Sequence, residues 1–255
     1  MAVYTPVSRP SLKPANPTDK PKLIFLVDPP HIIDYDIHML WDLFIEAAKG
    51  YGKDNTKQNQ FALQVLYVRE MGTLTCGDQR MVAQASNGQK IWSDLPWFEE
   101  DFCIAWADEK MSVDQRSNLA SLMARLAAVG VGGNCFTGAA LTLFRNVLET
   151  ADSATQNKQE VSTYDPLPFV ATWLFYCPHK LRFLALKSVK NFRSEDAALG
   201  PLAIKAGVVN EGFSVLRWEF WTKRIVELGQ SKDEKVAELA ASLVDTMDMD
   251  DYRPV

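Results

Sequence analysis

The sequence predicts an all-α protein: a single helical domain of about eight to ten helices behind a proline-rich N-terminal arm. Three observations carry that expectation. Apolar residues recur at i, i+3, i+4 and i+7 along much of the chain, which is the helical period. Capping residues and glycines punctuate those stretches where helices start and stop. Strand-like patterning is nearly absent, Leu23 to Val27 being the only short β-like run.

Residues 1–22 carry Pro6, Pro10, Pro14, Pro17 and Pro21, whose fixed φ angles predict an extended arm; residues 23–255 form the helical domain. A first helix shows in Ile37, Leu40, Trp41, Phe44, Ile45 and Ala48, with Asp34 or Asp36 as its cap and Gly50 just past its end. A second runs from about Thr56 to Met71 and stops at Gly72. The stretch 72–95 is mixed in pattern. Pro96 suits the first turn of a helix carrying Phe98, Phe102, Ala105 and Trp106. Ser112 and Gln115 form a capping-box pattern ahead of Leu119, Leu122, Met123 and Leu126. The next helix spans about Cys135 to Glu149, and a polar linker over roughly 150–163 follows. Asp165-Pro166 opens a helix through Trp173 to Tyr176, which Pro178 stops or kinks. Ser214 caps a helix ending at Gly229, and Ser231 to Glu234 is a second capping-box pattern before a final helix.

Of the 255 residues, 47% are hydrophobic and 11% aromatic, enough for a core that needs neither disulfide nor structural metal. Thirty-two acids against twenty-seven bases give a net charge of −5, which excludes a general nucleic-acid binder. The apolar run from Leu23 is too short for a signal-peptide core or a bilayer span, so a cytoplasmic protein with no membrane contact is expected. Leu126 to Phe144 carries no charge, but Gly130, Gly132 and Gly133 break it into two core helices joined by a tight turn. That turn also imitates a phosphate-binding loop only superficially, since no strand precedes it. Cys76, Cys103, Cys135 and Cys177 make no Cys-x-x-Cys pair and read as free, buried thiols.

Three blocks resemble a known family. GFSVLRWEFWTKR (212–224) resembles the Gly-Phe-Ser…Arg-Trp…Trp signature of the fungal domain-of-unknown-function family 3632. NLASLMARLAAVGV leading into ALTLFRNVLET (118–150) is similar to its paired central helices, and LPFVATWLFYCPHKL (167–181) to its Trp-containing helix. The match covers roughly 95–249, with weaker support from residue 35. This chain departs from the family pattern at Thr142, Asn146 and Leu216, where the pattern carries Trp, Asp and Glu. The resemblance implies an all-helical, intracellular fungal protein, some of whose relatives neighbour small-molecule biosynthetic genes. It supplies no catalytic residue.

Candidate chemistry is sparse because the chain holds three histidines and four cysteines. Asp28, His31, Asp34, Asp36 and His38 form the densest polar cluster; they match no metal motif, so no metal site and no cofactor are expected. Asp34 and His38 are candidates for acid–base work, against the plainer reading of cap and exposed imidazole. His179, two residues from Cys177, suits a helix end better than a nucleophilic pair. Arg145 and Arg217 are candidates to hold a carboxylate or enolate, or else to pair structurally, Arg145 with Glu149 or Arg217 with a neighbouring acid. Trp41, Thr142, Trp173, Tyr176 and Trp218 are candidate substrate-binding residues; truncation at Thr142 is expected to free volume among aromatics, unless Phe144 or Trp173 fills it.

Two functions follow. One is a cofactor-independent enzyme of fungal specialised metabolism, a cyclase or isomerase that binds an apolar metabolite in a helical-bundle cavity. The other is a non-catalytic helical binding or scaffold protein. The first expects an enclosed apolar pocket with convergent polar groups, and the second a solid core with an exposed apolar patch. The proline-rich arm also leaves a homodimer open.

Overall fold

The computed structural model of the chain describes residues 30–76, 81–150 and 166–248. The proline-rich arm, the Leu23–Val27 run, Asp28, the side chain of His31 and the 151–165 linker lie outside the described residues. Eleven helices are found among them: α1 (Pro30–Gly50), α2 (Thr56–Glu70), α3 (Phe98–Trp106), α4 (Val113–Ala128), α5 (Gly133–Leu148), α6 (Leu167–Tyr176), α7 (Pro178–Leu186), α8 (Ser194–Ala197), α9 (Pro201–Lys205), α10 (Val215–Leu228) and α11 (Glu234–Met247). The four-residue α8 and five-residue α9 carry the count past the expected eight to ten. A small antiparallel hairpin, β1 (Thr75–Cys76) with β2 (Met81–Val82), occupies the stretch whose pattern was mixed.

Helix α4 is the hub. Leu119 to Ala124, Leu126 and Ala127 are all buried, because α1, α2, α5, α6 and α7 pack around it. Its start shows the expected reciprocal cap: Gln115 N donates to Ser112 Oγ at 3.2 Å, and Ser112 N donates to Gln115 Oε1 at 3.0 Å. The glycine turn into α5 is real, with φ near +78°, +86° and +44° at Gly130, Gly132 and Gly133. No described helix is long and apolar enough to cross a membrane.

Four helix starts differ from expectation. Pro166 is the N-cap of α6, where it was expected as the first helical residue behind an Asp165 cap. Helix α1 begins upstream, so Asp34 and Asp36 sit inside it rather than at its start. Pro96 lies outside α3, whose N-cap is Trp97 in left-handed backbone. Asp233, not Ser231, caps α11, its carboxylate accepting from Lys235 N and Val236 N. Asp233 is adjacent to the first helical residue, so its short side chain reaches both free amides.

Cysteine pairing is a further correction. Cys103 of α3 and Cys135 of α5 form a disulfide, with Cα atoms 6.6 Å apart, where free thiols were expected. Sequence spacing could not report this, because the pair is set by two helices lying side by side. Cys177 is free and buried, as expected.

The Gly-Phe-Ser…Arg-Trp…Trp block folds into a structural knot. Gly212 has φ +73°, Phe213 is buried, and Ser214 Oγ accepts from Arg217 N at 3.2 Å. Arg217 is fully buried and donates to Glu149 through Nε at 2.6 Å and Nη2 at 3.2 Å. Its remaining donors reach the carbonyls of Ala197, Gly212 and Ala198 at 2.9, 2.9 and 2.8 Å. Glu149 also accepts from Trp221 Nε1 at 2.7 Å and Gly200 N at 2.6 Å. Arg217 therefore pairs with an acid distant in sequence. Arg145 does not pair with Glu149 but donates to the Glu195 carbonyl and to Asn146.

A methyl group at Gly212 would stand 2.5 Å from the Val189 carbonyl, on backbone that already disfavours any side chain. Gly212→Ala should therefore lower stability by roughly 2 kcal/mol or more. An unfolding free energy from urea titration within about 0.5 kcal/mol of wild type would refute that.

Candidate functional site

The site candidates from the sequence do not converge on one cavity. Trp173 is fully enclosed in the core. Trp218 is buried and donates through Nε1 to the Met247 carbonyl at 2.9 Å, beside a cleft of about 230 Å³. Tyr176 gives its hydroxyl to Asp54 at 3.0 Å and lies under the Arg125 guanidinium, 3.5 Å from its ring centroid. Thr142 is turned to α8, where its hydroxyl donates to Asp196 at 3.0 Å. Arg145 holds the same short helix through the Glu195 carbonyl, and Arg217 belongs to the knot. His179 is exposed in the first turn of α7, the positive end of that helix and not the negative helix terminus expected for it. Its neighbour Cys177 is sealed in the core, and burial pushes its thiol up to about 12, which disables it as a nucleophile.

One group of side chains does converge, at the junction of α1, α3 and the segment between β2 and α3. His38 Nδ1 lies 2.8 and 2.9 Å from the two carboxylate oxygens of Asp101. Asp101 is 6% exposed and His38 38% exposed, so a buried carboxylate holds one edge of a ring that still reaches solvent. A carboxylate only accepts, so Nδ1 carries the hydrogen, and in the neutral ring Nε2 then holds the lone pair. The imidazole stacks on Trp97, with ring centroids 5.1 Å apart. Asp34, one turn before His38 on α1, accepts from Ser86 N at 3.0 Å.

The electrostatics separate the two acids. Burial raises the pKa of Asp101; the hydrogen bond and charge of His38 oppose this, while Asp42 and Glu100 add to it, and the net shift is upward. At Asp34 burial also raises the pKa, but Ser86, the Trp97 indole and His38 outweigh it and hold the carboxyl below its usual value.

The backbone supporting this group is strained. Trp92, Leu95 and Trp97 have φ of +74°, +51° and +63°, in the region that costs an ordinary residue about 1–2 kcal/mol. Trp41 supports it from behind: its Nε1 donates to the Pro96 carbonyl at 2.8 Å and its ring meets Phe98 edge-on. Trp41 thus sets the segment that carries Trp97.

Sequence reasoning singled out His38, Asp34 and Trp41 but not Asp101. Asp101 stands among Glu99 and Glu100 in the first turn of α3, where acids ordinarily serve the helix dipole. Its partner lies 63 residues away, so no local spacing announces the pair. Among the described residues no cluster of metal-ligating side chains occurs.

A family model described as "Protein of unknown function (DUF3632)" matches residues 41–225. The chain is also similar to "Oxopyrrolidines biosynthesis cluster protein G" of Penicillium oxalicum, 26% identical over 239 residues. That match covers 84% of this chain and 66% of the relative, so the chain spans just under two thirds of the relative's length. No solved structure matches.

Proposed function

Because the chain belongs to the DUF3632 family of proteins of unknown function, and a similar protein is named for a biosynthesis cluster, we propose that it acts in fungal small-molecule biosynthesis as a cofactor-independent, proton-transferring enzyme of the cyclase or isomerase type. The observation that carries this reading is the His38–Asp101 pair. Asp101 orients the ring and stabilises the imidazolium, while Nε2 removes a proton from an acidic C–H or O–H of the substrate and returns it elsewhere. Trp97 offers an apolar face for the substrate. An apolar metabolite is the substrate class that suits this setting, and the cytoplasm is the proposed compartment.

Metabolite profiling of a strain lacking the gene tests the biosynthetic role. A product or shunt intermediate should disappear or accumulate, and an unchanged profile under expressing conditions would count against the reading.

Two observations favour the scaffold alternative. The three clefts described are open and none is lined by His38, Asp101 or Trp97, whereas the enzymatic reading expects an enclosed apolar pocket there. Tyr35, Met39 and Leu43 of α1, and Leu63 and Tyr67 of α2 with Met71 at its C-cap, form exposed apolar stripes at helical spacing. Under that reading Leu43→Glu and Tyr67→Glu would abolish function while His38→Gln would not; under the enzymatic reading the order reverses.

A further inference from the structure

We propose that the Cys103–Cys135 disulfide is a reversible redox site, opened by dithiol reductants, that adds and removes a covalent tie between α3 and α5. Three features of its placement support this, none of which depends on the activity of His38.

The bond is accessible. Both cysteines are half-buried and line an open cleft of about 540 Å³ between α3, α5 and the loop before α8. Glu99, Glu100, Asn134, Phe192 and Arg193 share its lining, so a small dithiol reaches the bond from solvent. Cys177, by contrast, is sealed from any reagent.

The fold does not need the bond. Phe98 and Phe102 of α3 already pack on Phe136 of α5, with ring centroids 6.0 and 5.1 Å apart. A chain of this size buries enough apolar surface without a staple, so both redox forms are folded. A dispensable, reachable disulfide is the kind that cycles, whereas structural ones shield weak cores.

The two sulfurs are chemically unequal. Cys135 is the third residue of α5, whose N-terminal amides favour a thiolate and are partly offset by the Glu99 carboxylate standing at Gly133; Cys103 lies beyond the middle of α3, away from any helix N-terminus. An incoming thiolate therefore attacks Cys103 Sγ, the S–S bond breaks, and Cys135 leaves as the thiolate and takes up a proton. The second thiol of the reductant then displaces Cys103. Two protein thiols form, and the dithiol leaves as a disulfide, balancing two electrons and two protons. Because Cys103 sits two residues beyond Asp101, opening the bond loosens the helix that carries that carboxylate.

The test uses the full chain equilibrated with oxidised glutathione or with dithiothreitol, without denaturant. Free thiols are trapped with N-ethylmaleimide, peptides are mapped by mass spectrometry, and thermal unfolding is recorded for both forms. A Cys103–Cys135 cross-linked peptide should form under oxidation and vanish under dithiothreitol. Reduction should lower Tm by about 5–10 °C, the order expected for opening a loop of this length. Cys103→Ser and Cys135→Ser should each abolish the difference between the two forms. Full alkylation of both cysteines after oxidation would overturn the proposal by showing no bond. A bond that dithiothreitol cuts only after denaturation would overturn it by showing a permanent cross-link.

Discussion

Glu149→Gln should destabilise the protein by about 3–5 kcal/mol, the largest effect expected of any single polar substitution here. The wild-type carboxylate receives four hydrogen bonds, from Arg217 Nε and Nη2, Trp221 Nε1 and Gly200 N. The amide is neutral and turns two donors of its own into a site built entirely of donors. The guanidinium is then left fully buried without a counter-charge, which is more costly than losing the pair. Buried ion pairs elsewhere can be exchanged for apolar residues at little cost, but this one should resist the exchange. Arg217 also donates to the carbonyls of Ala198 and Gly212, and Glu149 accepts from Gly200 N and Trp221 Nε1, so Glu149→Leu with Arg217→Met takes these partners from three backbone groups and one indole. The double variant should be no more stable than Glu149→Gln. Urea midpoints measure this directly, and a loss below about 1 kcal/mol for Glu149→Gln would contradict it.

Asp101→Asn should behave in the opposite way, with stability retained or gained and activity reduced by about 10²–10⁴-fold. The sign follows from linkage. The folded protein holds the Asp101 proton more tightly than the unfolded chain does, so the ionised carboxylate costs stability. That cost grows as pH rises from the ordinary carboxylate range through the raised pKa, and it is relieved by acidification. Asparagine removes it. The stability difference between Asp101→Asn and wild type should therefore widen with rising pH and then level off. A buried carboxylate kept at a cost to the fold is expected where the group serves chemistry. Marked destabilisation at neutral pH would instead make Asp101 a structural anchor for α1 on α3.

Most of the helices were legible because their signals are local. Periodicity places Trp41, Ile45 and Ala48 on one face, and Ser112, Gln115 and Ser214 mark starts that the structure reproduces. Contacts between segments distant in sequence were not legible. Glu149 and Arg217 stand 68 residues apart, Asp101 and His38 63, and Cys103 and Cys135 32. Thr142 illustrates the same limit. Its small size suggested free space, but packing places α8 over it and gives its hydroxyl an acceptor in Asp196. The left-handed residues near the candidate site escaped notice because Trp and Leu seldom adopt that conformation.

The same contrast divides the molecule by role. The residues of the family-like signature hold the fold together, whereas the pair proposed for chemistry sits on α1 and α3, away from that block. The most direct test is therefore complementation of the deletion strain with His38→Gln, with protein abundance measured alongside the metabolite profile. The account predicts normal abundance and the same missing product as in the deletion. Restoration of the wild-type profile by His38→Gln would contradict it.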